Sequence, residues 1–144
     1  MHMNEDIFQV KNELEQQLLD AVNGAVSSDA FMAQLFTAQV FMPVQDEQNE
    51  IKGFQRSTSA QPMVIQDEEG GNVLVLFTSP ERAKPFVKDF PAFGGGLLAD
   101  FKWVLERMDT CMAIVVNPGW EVGIDLDPNT VGQMMQRLAS TKVN

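Results

Sequence analysis

Two stretches decide the fold of this chain: Val73–Arg82, VLVLFTSPER, and Ile114–Pro128, IVVNPGWEVGIDLDP. Each is a short apolar strand that runs straight into a polar or proline-containing helix start. In the first, Asn72–Phe77 reads as a strand and Ser79 as the N-cap of a short helix. Pro80 falls in that helix's first turn, where the missing N–H costs nothing, and Pro85 should end or distort the helix within about two turns. In the second, Met112–Val116 pairs with Trp120–Leu126 across the turn Asn117-Pro118-Gly119. Asp127 then caps, and Pro128 opens, a last helix carrying Val131, Met134, Met135 and Leu138.

Outward from these anchors the pattern extends in both directions. Met63–Gln66 forms a hairpin with Asn72–Phe77 through Asp67–Gly71, whose glycines supply the positive φ that such a turn demands. Val40–Val44 reads as a strand, with Pro43 at an edge or strand end because it cannot donate to a ladder. Asn4 through Val22 has Ile7, Val10, Leu14, Leu18, Ala21 and Val22 at helical spacing, with Gly24 weakening its end. Ser28 is a suitable N-cap for a second helix from Asp29 to Ala38. Phe90–Gly96 reads as a loop, and Leu97–Met108 as a helix with Leu97, Phe101, Val104, Leu105 and Met108 in one stripe. Hairpins interleaved with helices predict an α+β fold, with helices packed on a mostly antiparallel or mixed sheet of about five strands. Residues 1–144 form one domain on this reading, with an N-terminal helical segment at 1–27 and a mobile polar loop at 45–61.

Composition narrows the function classes. A chain of 144 residues, 44% of them hydrophobic, is long enough for a core without disulfide or metal. No apolar run approaches the roughly 20 residues that span a bilayer, and Met1–Val26 has no signal-segment pattern. The single cysteine, Cys111, cannot form an internal disulfide, so the expectation is a cytoplasmic protein. Ten Lys and Arg against 20 Asp and Glu give a net charge of -10, which disfavours nucleic acid and anionic membranes as partners. The same field would steer in a basic protein partner.

The chemistry that enzymes need is hard to find. Gly94-Gly95-Gly96 lacks the Gly-Lys-Ser/Thr of a phosphate loop, since Leu97 follows it. Asp125-Leu-Asp127-Pro-Asn129 opens like a calcium loop but offers Thr130 at the sixth position and Gln136 at the twelfth. Cys111 has no histidine to activate it and reads as a buried, inert thiol at a strand start. The lone histidine, His2, excludes a Ser-His triad, and zinc ligands are missing. These readings predict no catalytic residues, no metal and no cofactor. Trp120, directly after the Asn-Pro-Gly turn, and Trp103, off its helix stripe, are candidate binding anchors, with peripheral core packing as the alternative for each.

From Met63 to about Ala139 the chain resembles the N-terminal domain of the SseB family of bacterial proteins. The resemblance rests on Gln66-Asp67-Glu68-Glu69-Gly70, Phe77-Thr78-Ser79-Pro80-Glu81-Arg82, and Val116-Asn117-Pro118-Gly119 with Gly123 and Leu126-Asp127-Pro128. Leu14–Val44 is compatible with the family's opening helices and first strand. The family takes its name from type III secretion or a serine-sensitivity phenotype, and the resemblance carries over no catalytic residue. Many members have a second, C-terminal domain, for which 144 residues leave no room. With the acidic charge, the resemblance implies a non-enzymatic protein-binding domain. Its specific form is an immunity or secretion-associated protein that binds a basic toxin or effector. The candidate contact residues are Trp120, Glu121, Asp67, Glu68, Glu69 and Trp103. The alternative is a small-molecule regulatory domain that binds an amino acid, with Thr78, Ser79 and Asn117 as the polar groups at strand ends.

Overall fold

The computed structural model describes residues 9–45 and 61–143. The expected mobile loop, apart from Gln45 and Gln61 at its ends, lies outside the described residues, as do residues 1–8 of the expected N-terminal helix. The fold is α+β. Its elements are α1 (Glu13–Val22), α2 (Ser28–Phe36), β1 (Gln39–Gln45), β2 (Gln61–Pro62), β3 (Val64–Gln66), β4 (Asn72–Leu76) and α3 (Pro80–Val87), then a 3-10 turn (Pro91–Phe93), β5 (Gly95–Asp100), α4 (Phe101–Arg107), β6 (Ala113–Val116), β7 (Ile124–Leu126) and α5 (Pro128–Val143).

The described strands number seven rather than the expected five, in a three-stranded order β2-β1-β5 and a four-stranded order β3-β4-β6-β7. The two groups meet where Phe41 and Phe77 exchange both backbone hydrogen bonds at 2.8 Å. Met63 is the second joint: its N–H donates to the Pro43 carbonyl, and its own carbonyl accepts from Val75 N–H. All strand pairs are antiparallel except β4 with β6, which run parallel with Val73 opposite Ala113 and Leu76 opposite Val116.

Period-two alternation along β4 divides the core between two faces. Leu74 and Leu76 join Ile114, Val116 and Leu126 beneath α1, α2, α4 and α5, while Val75 and Phe77 face the other way. On that second face the cover is α3, through Ala83, Phe86 and Val87. Phe41, Ile65, Phe93 and Val115 pack there but stay only partly buried. Among the described residues, one face thus carries four helices and the other a helix of eight residues.

Several elements differ from the sequence reading, each for a local reason. The first helix begins at Glu13, because the Asn12 side chain accepts from Glu15 N–H and sets the N-cap there. The cap of α2 is Ser27, whose hydroxyl accepts from Ala30 N–H, so the helix starts one residue earlier than Ser28 predicted. The predicted helix over Leu97–Met108 is divided: Leu97–Asp100 belong to β5, paired along β1, and the helix opens only at Phe101. Gly96 makes this possible, since a Cβ there would meet the Phe41 ring at 2.0 Å. The last hairpin is shorter than Trp120–Leu126, with pairing confined to Ile124–Leu126. Cys111, read as buried, is exposed and adopts φ 66°, ahead of β6 rather than inside it. Asp127 caps α5 as expected, accepting from Thr130 N–H at 2.8 Å.

Candidate functional site

Residues that follow β4 and β6 at their carboxyl ends meet a single carboxylate brought by α1. Thr78 and Ser79 follow β4, Asn117 follows β6, and Arg82 sits in the first turn of α3. Among the described residues these four, with Glu15, are the buried polar side chains of the protein, and Glu15 itself is 0% exposed. They form one network.

Glu15 Oε2 accepts from the Thr78 hydroxyl at 2.7 Å, the Ser79 hydroxyl at 2.9 Å and Arg82 Nε at 3.1 Å. Its Oε1 accepts from Arg82 Nη2 at 3.0 Å and from Lys11 N–H at 2.8 Å. Arg82 therefore binds the carboxylate with two nitrogens, one to each oxygen, the geometry in which a guanidinium fork holds a carboxylate best. Arg82 Nη2 also donates to the Gln9 carbonyl. Burial alone would raise the Glu15 pKa. The donors from Arg82, Thr78, the Lys11 backbone and Ser79 outweigh it and hold the carboxyl below its ordinary value. Ser79 occupies the N-cap position of α3, yet its hydroxyl makes no cap bond and serves Glu15 instead.

A second ring of contacts holds these donors in place. Asn117 sits at φ 60° in the turn after β6, its Oδ1 accepting from Thr78 N–H at 3.0 Å and its Nδ2 donating to the Thr78 hydroxyl and the Val122 carbonyl. The Trp120 indole N–H donates to the Arg82 carbonyl at 2.8 Å, and its ring lies 4.8 Å from the guanidinium carbon. Asn12 Nδ2 donates to the Thr78 carbonyl at 2.9 Å, tying the cap of α1 to the same turn.

The sequence-predicted contact residues fall in three separate places. Trp120 is half-buried against α3 and belongs to the network just described, with exposed Glu121 next to it. Asp67, Glu68 and Glu69 form the β3–β4 turn at the opposite end of the sheet, where Asp67 Oδ1 accepts from Glu69 and Gly71 N–H. Trp103 packs against the four-helix core with the Arg107 guanidinium carbon 3.9 Å from its ring centroid. Thr78, Ser79 and Asn117 are brought together, as the small-molecule alternative requires, but around Glu15. Glu15 and Arg82 were not singled out from the sequence. The Asn12-x-x-Glu15 spacing, a helix-start signature, was the signal available.

Among the described residues no three His, Cys, Asp or Glu side chains gather as a metal site needs, and no helix is long and apolar enough to cross a membrane. The model of the SseB protein N-terminal domain matches residues 14–133, and the chain belongs to that family. The match contains every side chain of the buried network. No curated protein and no solved structure matches the chain significantly.

Proposed function

We propose that the chain is a non-enzymatic protein-binding domain whose partner docks on the α3 face of the sheet. The observation that supports this reading is the unequal cover of the two faces among the described residues. Phe41, Ile65, Phe86, Val87, Phe93 and Val115 are partly buried on the α3 side, and Phe90, stacked on Phe86 at 5.3 Å, is exposed. Leu98, the most exposed large hydrophobic at 60%, pairs with Phe41 and so shares its side of the sheet. An apolar surface of this kind on a chain of net charge -10 fits a partner with a basic rim around an apolar anchor. Asp125, opposite Val115 on β7, and Glu121 beside Trp120 are exposed carboxylates at this surface. A basic toxin or effector bound by an immunity or secretion-associated protein has the required chemistry.

The test is capture of a partner from native lysate by the intact chain and by a Phe90→Ser/Glu121→Lys/Asp125→Lys variant, each at low and high salt. The expected result is one stoichiometric basic protein, weakened by salt and lost in the variant. Equal capture by both proteins would remove the α3 face as the interface. A second reading, an amino-acid-binding regulatory domain, draws on the convergence of Thr78, Ser79 and Asn117. Their side-chain donors, however, already serve Glu15, one another and the Val122 carbonyl. A thermal-shift screen with amino acids tests it, since a ligand at 100 times its Kd adds about 2.7 kcal/mol; no shift with any of them eliminates it.

A further inference from the structure

We propose that the cradle of Thr78, Ser79 and Arg82 is a carboxylate-binding site that this chain fills with its own Glu15, so that α1 acts as a tethered plug. Three observations carry the inference. First, four of the five hydrogen bonds to the carboxylate come from side chains within residues 78–82, a single stretch of chain remote from α1 in sequence. Second, that stretch and Asn117 lie just beyond the carboxyl ends of β4 and β6, two adjacent parallel strands, which is where parallel sheets place ligands. Third, the cradle has supports of its own. Asn117 holds Thr78 through two hydrogen bonds, to its backbone N–H and to its hydroxyl oxygen, and Trp120 holds Arg82 by its ring and its indole N–H. A site braced from behind keeps its shape when its occupant leaves; a simple ion pair, each partner positioned by the other, does not.

The occupant that fits is a planar carboxylate. The Arg82 fork gives one nitrogen to each oxygen, and the two hydroxyls converge on Oε2 alone. In the intact protein the tether gives Glu15 a high effective concentration, so a free acid does not displace it. Shortening the side chain should open the site.

The experiment is thermal denaturation of Glu15→Ala in rising acetate, with chloride at matched ionic strength as the reference. Acetate replaces the atoms that the substitution removes. The expected result is a saturable rise in Tm of about 5 °C over chloride. Neither the unsubstituted protein nor Glu15→Ala/Arg82→Met should show it. If Glu15→Ala is unfolded without added anion, the same titration is read by circular dichroism as acetate-dependent recovery of helix. Equal responses to acetate and chloride, or an equal response in the double variant, would overturn the site. Phosphate matching acetate would overturn its assignment to carboxylates.

Discussion

Glu15 carries a charge where a lone carboxylate would not persist, and its stability contribution follows from its partners. Removing one member of a buried ion pair leaves the other desolvated and uncompensated, at about 3–5 kcal/mol. Glu15→Gln keeps the shape and loses the charge, so urea denaturation at pH 7 should show a loss of about 3 kcal/mol. Adding Arg82→Met should cost less than the sum of the two single changes, because both disrupt one interaction. The pair also fixes an acid limb. Since the folded carboxyl sits below its ordinary value of 4.5, the unfolded chain binds the proton more readily. The stabilisation is therefore complete above that value and is lost as pH falls through the folded pKa. Urea midpoints of the unsubstituted protein and Glu15→Gln should converge as pH falls below the ordinary value of 4.5; a constant gap would show that Glu15 is not the titrating group. At this scale the sequence exposed half the site. Thr78, Ser79 and Asn117 were recognisable as polar residues at strand ends. Glu15 and Arg82, 67 residues apart, each resembled an ordinary helix charge.

Among the elements, the turn between β6 and β7 is closed by backbone against backbone. A Cβ on Gly123 would meet the carbonyl oxygens of Val116 and Asn117 at 2.7 and 2.9 Å, and backbone cannot swing aside as a side-chain tip can. Gly132 is the contrast: it lies within α5 with nothing within 4 Å of its added Cβ. Gly123→Ala should destabilise by about 2 kcal/mol, as overpacking does, whereas Gly132→Ala should stabilise by about 0.5–1 kcal/mol. Calorimetric Tm values of opposite sign would confirm the pair; a neutral Gly123→Ala would mean the turn can relax. The helices and hairpins marked by caps and turns were legible: Asp127, Pro80 and the β3–β4 turn all stand where their chemistry put them. β5 was not. Leu97, Phe101, Val104, Leu105 and Met108 match a helical stripe, and only pairing with β1, more than fifty residues earlier, makes a strand of the stretch before Phe101. Tertiary pairing overrode local periodicity there, and a one-dimensional pattern holds no trace of the partner.

At the level of the whole molecule, the proposed docking of a basic partner on the α3 face separates the determinants of speed from those of residence. Glu121→Lys/Asp125→Lys should slow association with a basic partner about tenfold at low salt and much less at high salt, leaving Tm nearly unchanged. Phe90→Ser and Leu98→Ser should instead quicken dissociation. Surface plasmon resonance separates the two, and identical effects of both pairs on the on-rate would contradict the assignment. The contact between Glu15 and Arg82 also has a consequence for synthesis. The carboxylate leaves the ribosome 67 residues ahead of the guanidinium that neutralises it. At about 5–20 residues per second the wait is roughly 3–13 s. During that interval α1 is a ten-residue helix, too short to hold by itself. Helix α1 is thus made well before the partner that fixes it. Until Arg82 emerges, the α1 stretch of the nascent chain is open to chaperones and proteases, and a ribosome stalled before that codon should present it to them indefinitely.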